Sequence, residues 1–350
     1  MRLHFYFLII VFLIALIYRK LRERNSKYSK LFLFLLFIVM SLFLGLRSIN
    51  IGTDTQTYIS LFWNRNYSFS NLEIIVPLIS RIIIMFSNKY FIYLTVLSMI
   101  SLIGIIKCVK DYKFDTEYFL LLYITSFCFL YSTSAIRFFC SFSIILISFK
   151  YMIECNTKKV VFLLLLAMMF HTSAIVFFPI YFFTKFKYTK KNLLLILICG
   201  LAFVLFIELF GNHFLFKLKL FEKYSYILNS DSSVGGLSTL MNIAILFFGI
   251  VYYNSVEKYK KEYEFFLKMQ VFCILIDFVG IAYRIVWFFR FPVWFILPII
   301  LENLKIKRKK DYLILYVIFL VIYLMLYYYY LKYSLDSHNF LNYTFNKMLK

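Results

Sequence analysis

An arginine at the start of an apolar run is the residue best placed for chemistry. Arg137 opens the run 136–153, and Arg137, Ser141 and Ser148 lie 3, 7 and 14 residues after Ser134. A helix turns about 100° per residue, so these positions share roughly a third of its circumference. The guanidinium suits phosphate oxygens because its donors form a planar fork. We expect this polar stripe to face the protein interior; the alternative is an arginine that snorkels from a helix end.

A histidine interrupts the next apolar region. His171, followed by Thr172 and Ser173, separates two short apolar runs within residues 160–183. This pattern predicts a re-entrant hairpin with His171 at its tip, where irregular backbone at membrane depth normally lines a cavity. Neutral imidazole is a suitable general base near pH 7. The alternative is a structural histidine in an apolar setting.

A short polar segment precedes both of these sites. It runs from Arg47 to Thr55, contains Gly52-Thr-Asp-Thr55, and is followed by Tyr58. Gly52 permits a tight turn, and the three residues after it crowd donors and acceptors together. Such a segment is typical of a turn or a helix N-cap.

A second arginine lies close to an acidic residue. Arg284 follows Asp277 by seven residues, which is two helical turns on the same face. A buried carboxylate needs a partner. A structural ion pair and a substrate-binding Arg284 oriented by Asp277 are both consistent with this spacing.

The composition shows what must position these residues. Of 350 residues, 63% are hydrophobic, 22% are aromatic and 16% are charged, with a mean hydropathy of +0.82. Soluble domains are about 25% charged. These values exclude a water-soluble enzyme, a nucleic-acid binder and a disordered scaffold, and they indicate an all-α polytopic integral membrane protein.

The spacing of apolar runs predicts about ten full spans in a single transmembrane domain over residues 1–350. With the re-entrant hairpin 160–183, the count of helices is 12. Residues 47–89 are expected as an outer loop with an interfacial or re-entrant helix at 72–86, and residues 211–236 as another outer loop. The runs are 3–18, 31–46, 90–106, 118–133, 136–153, 192–210, 237–253, 265–283, 285–302 and 311–331.

The net charge of +22 has two parts. Basic residues crowd the loop between Arg19 and Lys30, which the positive-inside rule assigns to the cytoplasm, with the N-terminus outside. One assignment of the spans places every basic loop on the cytoplasmic side and accounts for most lysines. Seven of the 11 arginines remain on the outer side or at outer membrane depth: Arg2, Arg47, Arg65, Arg81, Arg137, Arg284 and Arg290. This set indicates an anionic, phosphate-bearing lipid as the substrate.

Three segments together resemble a known family. They are Arg47 with Asn50-Ile-Gly-Thr-Asp-Thr55 and Tyr58, then Ile136-Arg137, then Phe170-His171-Thr-Ser-Ala174 with Pro179 and Tyr181. This arrangement resembles the EpsG family of exopolysaccharide polymerases, which are relatives of the Wzy polymerases. One position departs from the pattern: Phe138 follows Arg137 where a polar residue, commonly Gln, is expected.

The resemblance implies polymerisation of polyprenyl-pyrophosphate-linked oligosaccharides on the outer face of the bacterial cytoplasmic membrane, with an architecture similar to GT-C-type glycosyltransferases. It also implies chain-length regulator and flippase proteins as candidate partners. We expect an inverting, metal-independent reaction without a cofactor. The expected catalytic residues are His171, Asp54 and Arg137, and the expected substrate-binding residues are Arg47, Thr53, Thr55, Tyr58, Arg284 and Asp277.

Two other classes of membrane protein use similar features. A flippase for lipid-linked sugars would also use outer arginines, although such transporters often contain inverted repeats and this sequence shows no convincing repeat. An O-antigen-type ligase or a membrane acyltransferase shares the multi-span plan and a histidine. The products distinguish them: a polymerase makes long chains, a flippase leaves the repeat unaltered, and a ligase joins a finished chain to a different acceptor.

Overall fold

The computed structural model describes residues 2–64, 72–187, 237–277, 290–333 and 339–346, with isolated positions between 189 and 202. Within these residues the chain is helical and contains no β-strand, as the apolar periodicity predicts. The chain divides into two compact units, residues 1–181 with 313–350 and residues 182–312.

The first unit is a bundle of long and short helices. Their bounds are α1 Arg2–Glu23, α2 Ser29–Gly45, α3 Thr55–Trp63, α4 Ile75–Phe86, α5 Tyr90–Asp111, α6 Thr116–Thr125, α7 Cys128–Tyr131, α8 Ile136–Ile153, α9 Thr157–Met168, a 3₁₀ turn Thr172–Val176, and α10 Phe177–Thr184, whose last residues belong to the second unit.

Two buried helices, α5 and α8, form the centre of this unit. They approach most closely where the backbone N–H of Gly104 donates to Ser143 Oγ at 2.7 Å. A Cβ at residue 104 would lie 2.2 Å from the Ser143 carbonyl oxygen, so only glycine permits this approach. Small residues at such crossings are typical of helix packing in membranes, where close van der Waals contact replaces the hydrophobic drive.

The apolar run 118–133, expected as one span, is divided between α6 and α7. Phe127 has φ of 72°, in the left-handed region. Just before it, the hydroxyls of Thr125 and Ser126 donate to the carbonyls of Leu121 and Tyr123. These side chains compete for acceptors of the helical ladder, which weakens the helix at this point.

Contacts define two ends of the first unit. At one end, Arg19 near the end of α1 meets Asp115 before α6. At the other end, His4 Nε2 is hydrogen-bonded to the Phe340 carbonyl oxygen at 2.7 Å, and the Phe43 ring stacks on Tyr343 at 4.6 Å. We call these the Arg19 end and the His4 end.

The segment 339–346 closes the His4 end. The amide of Ser48 donates to the Thr344 carbonyl at 2.8 Å, and the amide of Asn346 donates to the Leu46 carbonyl at 2.8 Å, on either side of an antiparallel bridge between Arg47 and Phe345. This pairing satisfies backbone groups after α2, where the helix has ended.

The second unit contains α11 Leu237–Val251, a 3₁₀ turn Tyr253–Ser255, α12 Lys260–Asp277 and α13 Pro292–Lys307, which is followed by the start of α14 Lys309–Tyr333. Its core includes the rings of Phe266 and Phe295, stacked with centroids 4.0 Å apart. Asn303 ties α13 to the loop before α12, because its Oδ1 accepts from the amides of Glu257 and Lys258 at 3.0 Å.

The structure supports a membrane-integral protein. Four described helices are long and apolar enough to cross a membrane: Arg2–Glu23, Tyr90–Asp111, Ile136–Ile153 and Lys309–Lys332. Shorter apolar helices stand between them. The expected total of about ten spans stays a prediction, and the expected outer loop 211–236 lies outside the described residues.

Candidate functional site

The candidate site is centred on Glu73, which lies two residues before α4. Its Oε1 accepts hydrogen bonds from His171 Nδ1 at 2.9 Å, from the Thr172 amide at 2.9 Å and from Thr172 Oγ1 at 3.0 Å. Its Oε2 forms an ion pair with Arg137. We call Glu73, Arg137, His171 and Thr172 the Glu73 cluster, and all four belong to the first unit.

Local structure brings these residues together. Arg137 is the second residue of α8, and His171 lies between the end of α9 and the 3₁₀ turn that starts at Thr172. The start of α4 is attached to the end of α9, just before this turn, because the Ile75 amide donates to the Met169 carbonyl at 3.2 Å. The break in helical structure at His171 therefore exposes the backbone amide that binds Glu73.

Exposure differs across the cluster. The Glu73 side chain is 5% exposed, whereas those of Arg137 and His171 are 20% and 18% exposed. The carboxylate is thus the most buried group of the cluster, and the guanidinium and the imidazole form its accessible side. Phe138 packs against the imidazole edge with centroids 5.9 Å apart, so the residue that departs from the family pattern holds the His171 ring.

Hydrogen bonds keep Glu73 ionised. Burial acts to raise its pKa, but the hydrogen bond and electrostatic attraction of His171, the hydrogen bond from the Thr172 amide and the charge of Arg137 outweigh burial and lower the pKa to about 2. The stability that these bonds provide is therefore fully present above the ordinary pKa of 4.5 and is lost only as the pH falls toward 2.

This protonation state fixes the histidine tautomer. An ionised carboxylate only accepts hydrogen bonds, so Nδ1 of His171 must donate. In the neutral imidazole, Nε2 then carries the lone pair. The cluster thus presents a guanidinium and a basic nitrogen, both oriented by one carboxylate.

Tyr58 extends the cluster toward the polar segment 47–55. It is buried on α3, and burial raises the pKa of its hydroxyl, while a hydrogen bond and the charge of Arg137 oppose that shift. Asp54, an exposed residue at the N-cap of α3, acts on Tyr58 through its negative charge. Thr53 is also exposed.

Arg47 and Thr55, the two ends of this segment, are both fully buried. The Arg47 guanidinium donates to Thr55 Oγ1 at 3.1 Å, to the Leu44 carbonyl at 2.7 Å and to the Thr133 carbonyl at 3.0 Å. Thr55 Oγ1 donates in turn to the Ile51 carbonyl at 2.5 Å. In this arrangement Arg47 joins the end of α2, the segment 47–55 and the turn before α8.

Gly52 docks the segment onto the turn that leads to Arg137. Its φ of +83° is in the left-handed region, and a Cβ there would lie 2.8 Å from Thr133 Oγ1. The next amide, of Thr53, donates to Ser134 Oγ at 3.1 Å. The requirement for glycine thus follows from both the backbone conformation and the close approach.

The predicted residues therefore separate into groups. Arg137, His171 and Tyr58 come together, whereas the buried Arg47 and Thr55 hold the segment against the turn before α8. Thr53 and Asp54 are exposed just before α3. The interior polar stripe is confirmed on α8, where Ser141 and Ser148 are buried, and Ser134, also buried, lies in the turn before that helix. Arg284 lies outside the described residues, and Asp277 is described only as the last residue of α12.

Sequence reasoning missed Glu73. The available signal was an acidic residue directly before the apolar run 74–76, in a chain with only 17 acidic residues. A carboxylate in such a setting requires a partner when it is buried. The partners lie 64 and 98 residues away, and no spacing rule connects them.

Among the described residues, no group of three or more His, Cys, Asp or Glu side chains could hold a metal ion. The arrangement places the Arg137 guanidinium, a group suited to anions, beside the His171 imidazole on one carboxylate.

The chain was compared with known proteins. No curated protein and no solved structure matched it. A sequence model of the EpsG family, a polysaccharide polymerase-like family, matches residues 30–345, which includes every residue of the Glu73 cluster. The chain therefore belongs to the EpsG family.

Proposed function

We propose that this protein is a polysaccharide polymerase. It would transfer a growing glycan from polyprenyl pyrophosphate to a lipid-linked repeat unit at the outer face of the bacterial cytoplasmic membrane. Membership of the EpsG family supports a glycosyltransferase-like polymerase in general. The observation that carries the specific proposal is the meeting of Arg137 and His171 on the two oxygens of Glu73.

Arg137 would bind the pyrophosphate of the donor. Its guanidinium is on the accessible side of the cluster, and its planar fork of donors matches phosphate oxygens. During transfer, the bond between the anomeric carbon and the pyrophosphate oxygen breaks, and its electron pair stays with the pyrophosphate. A guanidinium bound to the pyrophosphate stabilises that developing charge more in the transition state than in the ground state, which accelerates the step.

His171 would act as the general base. The acceptor hydroxyl oxygen attacks the anomeric carbon from the side opposite the leaving group, its proton moves to His171 Nε2, and the configuration at that carbon inverts. Glu73 supports this role because the imidazolium formed by the proton transfer remains bonded to an ionised carboxylate. Arginine charge performs the stabilising role in this proposal, which is why we expect a metal-independent reaction.

The other predicted residues receive supporting roles. Tyr58 would orient Arg137, and Arg47 with Thr55 would hold the turn before α8 rather than contact the substrate directly. Asp54 and Thr53 are accessible and would contact the acceptor glycan. Arg284, oriented by Asp277, is proposed as a second contact for the pyrophosphate. A GT-C-like architecture, with chain-length regulators and flippases as partners, belongs to the same proposal.

The decisive experiment is polymerisation by purified protein in liposomes supplied with lipid-linked repeat units. We expect a ladder of long chains from the natural protein. Arg137→Ala and His171→Ala should each lose at least 10²-fold in rate, on the order expected for a removed charge-stabilising group or general base. Arg24 is exposed and follows directly after α1. Arg24→Ala is therefore the matched control and should retain the ladder.

The product also tests the competing classes. Repeats moved across the bilayer without elongation would identify a flippase, and a finished chain joined to a different acceptor would identify a ligase. Full polymer length from both Arg137→Ala and His171→Ala would overturn the site.

Topology has an independent test, since we propose that the N-terminus and the cluster face outward. A cysteine introduced at Thr53 should react with an impermeant thiol reagent in intact cells. The exposed native Cys155, after α8, should react only in opened membranes. The reverse pattern would overturn the outward orientation.

A further inference from the structure

The two oxygens of Glu73 serve different partners. Oε2 faces Arg137, while Oε1 receives three hydrogen bonds from His171 and Thr172. One of these three comes from a backbone amide at the start of the 3₁₀ turn. The carboxylate is therefore anchored on its Oε1 side to the main chain of residue 172.

The anchoring decides which partner can move. Arg137 reaches Glu73 through a long side chain with several rotatable bonds, and it is 20% exposed, whereas Glu73 is 5% exposed. An anion arriving at the accessible side can draw the guanidinium toward itself, but it cannot draw the carboxylate without breaking three bonds. The buried anion and the arriving anion thus compete for one guanidinium.

We propose that Glu73 is a positioning residue that couples binding of a pyrophosphate-bearing lipid to activation of the acceptor hydroxyl. In the unliganded protein the Arg137 guanidinium is paired with Glu73. When the pyrophosphate binds, it takes the guanidinium from Oε2, and the carboxylate then serves His171 and Thr172 alone. The released negative charge is left beside the imidazole and favours the imidazolium that forms during proton transfer.

This inference rests on the proposed function and makes a distinct claim about it. Displacing Glu73 from Arg137 costs free energy, so the observed affinity for the donor is lower than the intrinsic affinity. In return, the full charge of Glu73 acts on His171 only when the donor is bound. Removing the charge of Glu73 should therefore improve donor binding and harm turnover, and damage to the fold would not produce these opposite effects.

Glu73→Gln is the test variant because it keeps the size of the side chain. Its amide oxygen can still accept from Thr172, which turns its NH₂ group toward Arg137 and releases the guanidinium. We expect binding of polyprenyl pyrophosphate that carries no sugar to become about tenfold tighter, since one charge-assisted bond no longer competes. The rate of polymerisation at saturating donor should fall at least about tenfold.

A double variant tests whether Glu73 affects donor affinity through Arg137. In the Arg137→Ala background, Glu73→Gln should leave affinity for polyprenyl pyrophosphate unchanged within about twofold, because the competing guanidinium is absent. Thr172→Val is a second probe of the anchor that does not depend on how Glu73→Gln folds. It should lower the saturated rate while affinity for the pyrophosphate lipid stays constant.

The outcomes separate the inference from the proposed function. Equal or weaker binding by Glu73→Gln, with Arg137→Ala still weakening binding, would overturn the coupling and leave the proposed function standing. Unchanged affinity for Thr172→Val together with an unchanged rate would also overturn it. Natural affinity for the pyrophosphate lipid in Arg137→Ala would refute the proposed role of Arg137 itself.

Discussion

Two buried ionic clusters in the described part of the first unit combine cations and carboxylates in opposite proportions. At the Arg19 end, the Arg19 guanidinium meets two carboxylates, Asp115 and Glu117, which we call the Arg19 cluster. In the Glu73 cluster, a single carboxylate meets a guanidinium, an imidazole and two donors of Thr172. The first has excess acceptors and the second has excess donors.

This difference in proportion separates a structural cluster from a binding cluster. An anion approaching the Arg19 cluster would meet a guanidinium, 16% exposed, that already pairs with two carboxylates. Arg22 beside it is also engaged, because it donates to the carbonyls of Val109, Tyr112 and Phe114. An anion approaching the Glu73 cluster would meet the Arg137 guanidinium, 20% exposed, which shares a single carboxylate with His171 and Thr172. A buried ion pair alone therefore indicates little about function, whereas the ratio of cationic and donor groups to carboxylates indicates what can bind.

Arg19→Ala should produce the largest loss of stability. It leaves Asp115 and Glu117 buried without their shared cation, which costs about 3 to 5 kcal/mol for buried pairs. Thermal unfolding in detergent would measure the loss. Adding Asp115→Asn and Glu117→Gln should restore much of the stability by removing the stranded charges. Failure of this rescue would contradict a purely structural Arg19 cluster.

Arg137→Lys should lower the polymerisation rate about 10²-fold, equivalent to about 2.7 kcal/mol, while stability changes little. A lysine keeps the charge but lacks the planar fork that binds phosphate oxygens in pairs. Arg19→Lys is the matched change, and its rate per folded protein should stay within about twofold. A larger loss of rate from Arg19→Lys than from Arg137→Lys would reverse the comparison.

Gly52→Ala should destabilise the docked segment by about 1 to 3 kcal/mol, because alanine is strained at φ of +83° and its Cβ approaches Thr133. The turn before α8 would shift, so the rate should fall with the stability. Gln56→Ala, an exposed neighbour, is the control and should leave both at natural values. A natural rate in Gly52→Ala would show that the segment does not position Arg137.

Lys107→Ala should have the smallest effect, below about 0.5 kcal/mol. Its ion pair with Asp111 at 2.8 Å is exposed and lies within one helix, where such pairs contribute little. Thermal unfolding of Lys107→Ala and Arg19→Ala in the same detergent would compare the two losses of stability. A loss comparable to that of Arg19→Ala would mean that burial does not account for the difference between ionic pairs in this protein.

Much of the site could be predicted from residue types. Placing an arginine or a histidine within apolar membrane segments costs free energy, and such residues usually have a function. Arg137 and His171 are therefore candidates from the sequence alone. Arg47 shows the limit of that reasoning. It has the same residue type and the same predicted side of the membrane, yet its donors are engaged by main-chain carbonyls and by Thr55. Residue type cannot distinguish an arginine that binds substrate from one that holds a turn.

By itself the sequence determined the class of the protein, the all-helical fold, the interior polar stripe of α8 and the two residues that carry the proposed chemistry. These follow from hydropathy and helical periodicity, which act over short distances along the chain. Only the tertiary structure decided that Glu73 joins Arg137 to His171 and that Arg19 pairs with Asp115 and Glu117 in the Arg19 cluster. Those contacts link residues 64 to 98 positions apart, and their energies depend on burial and on shared partners, which no local pattern encodes.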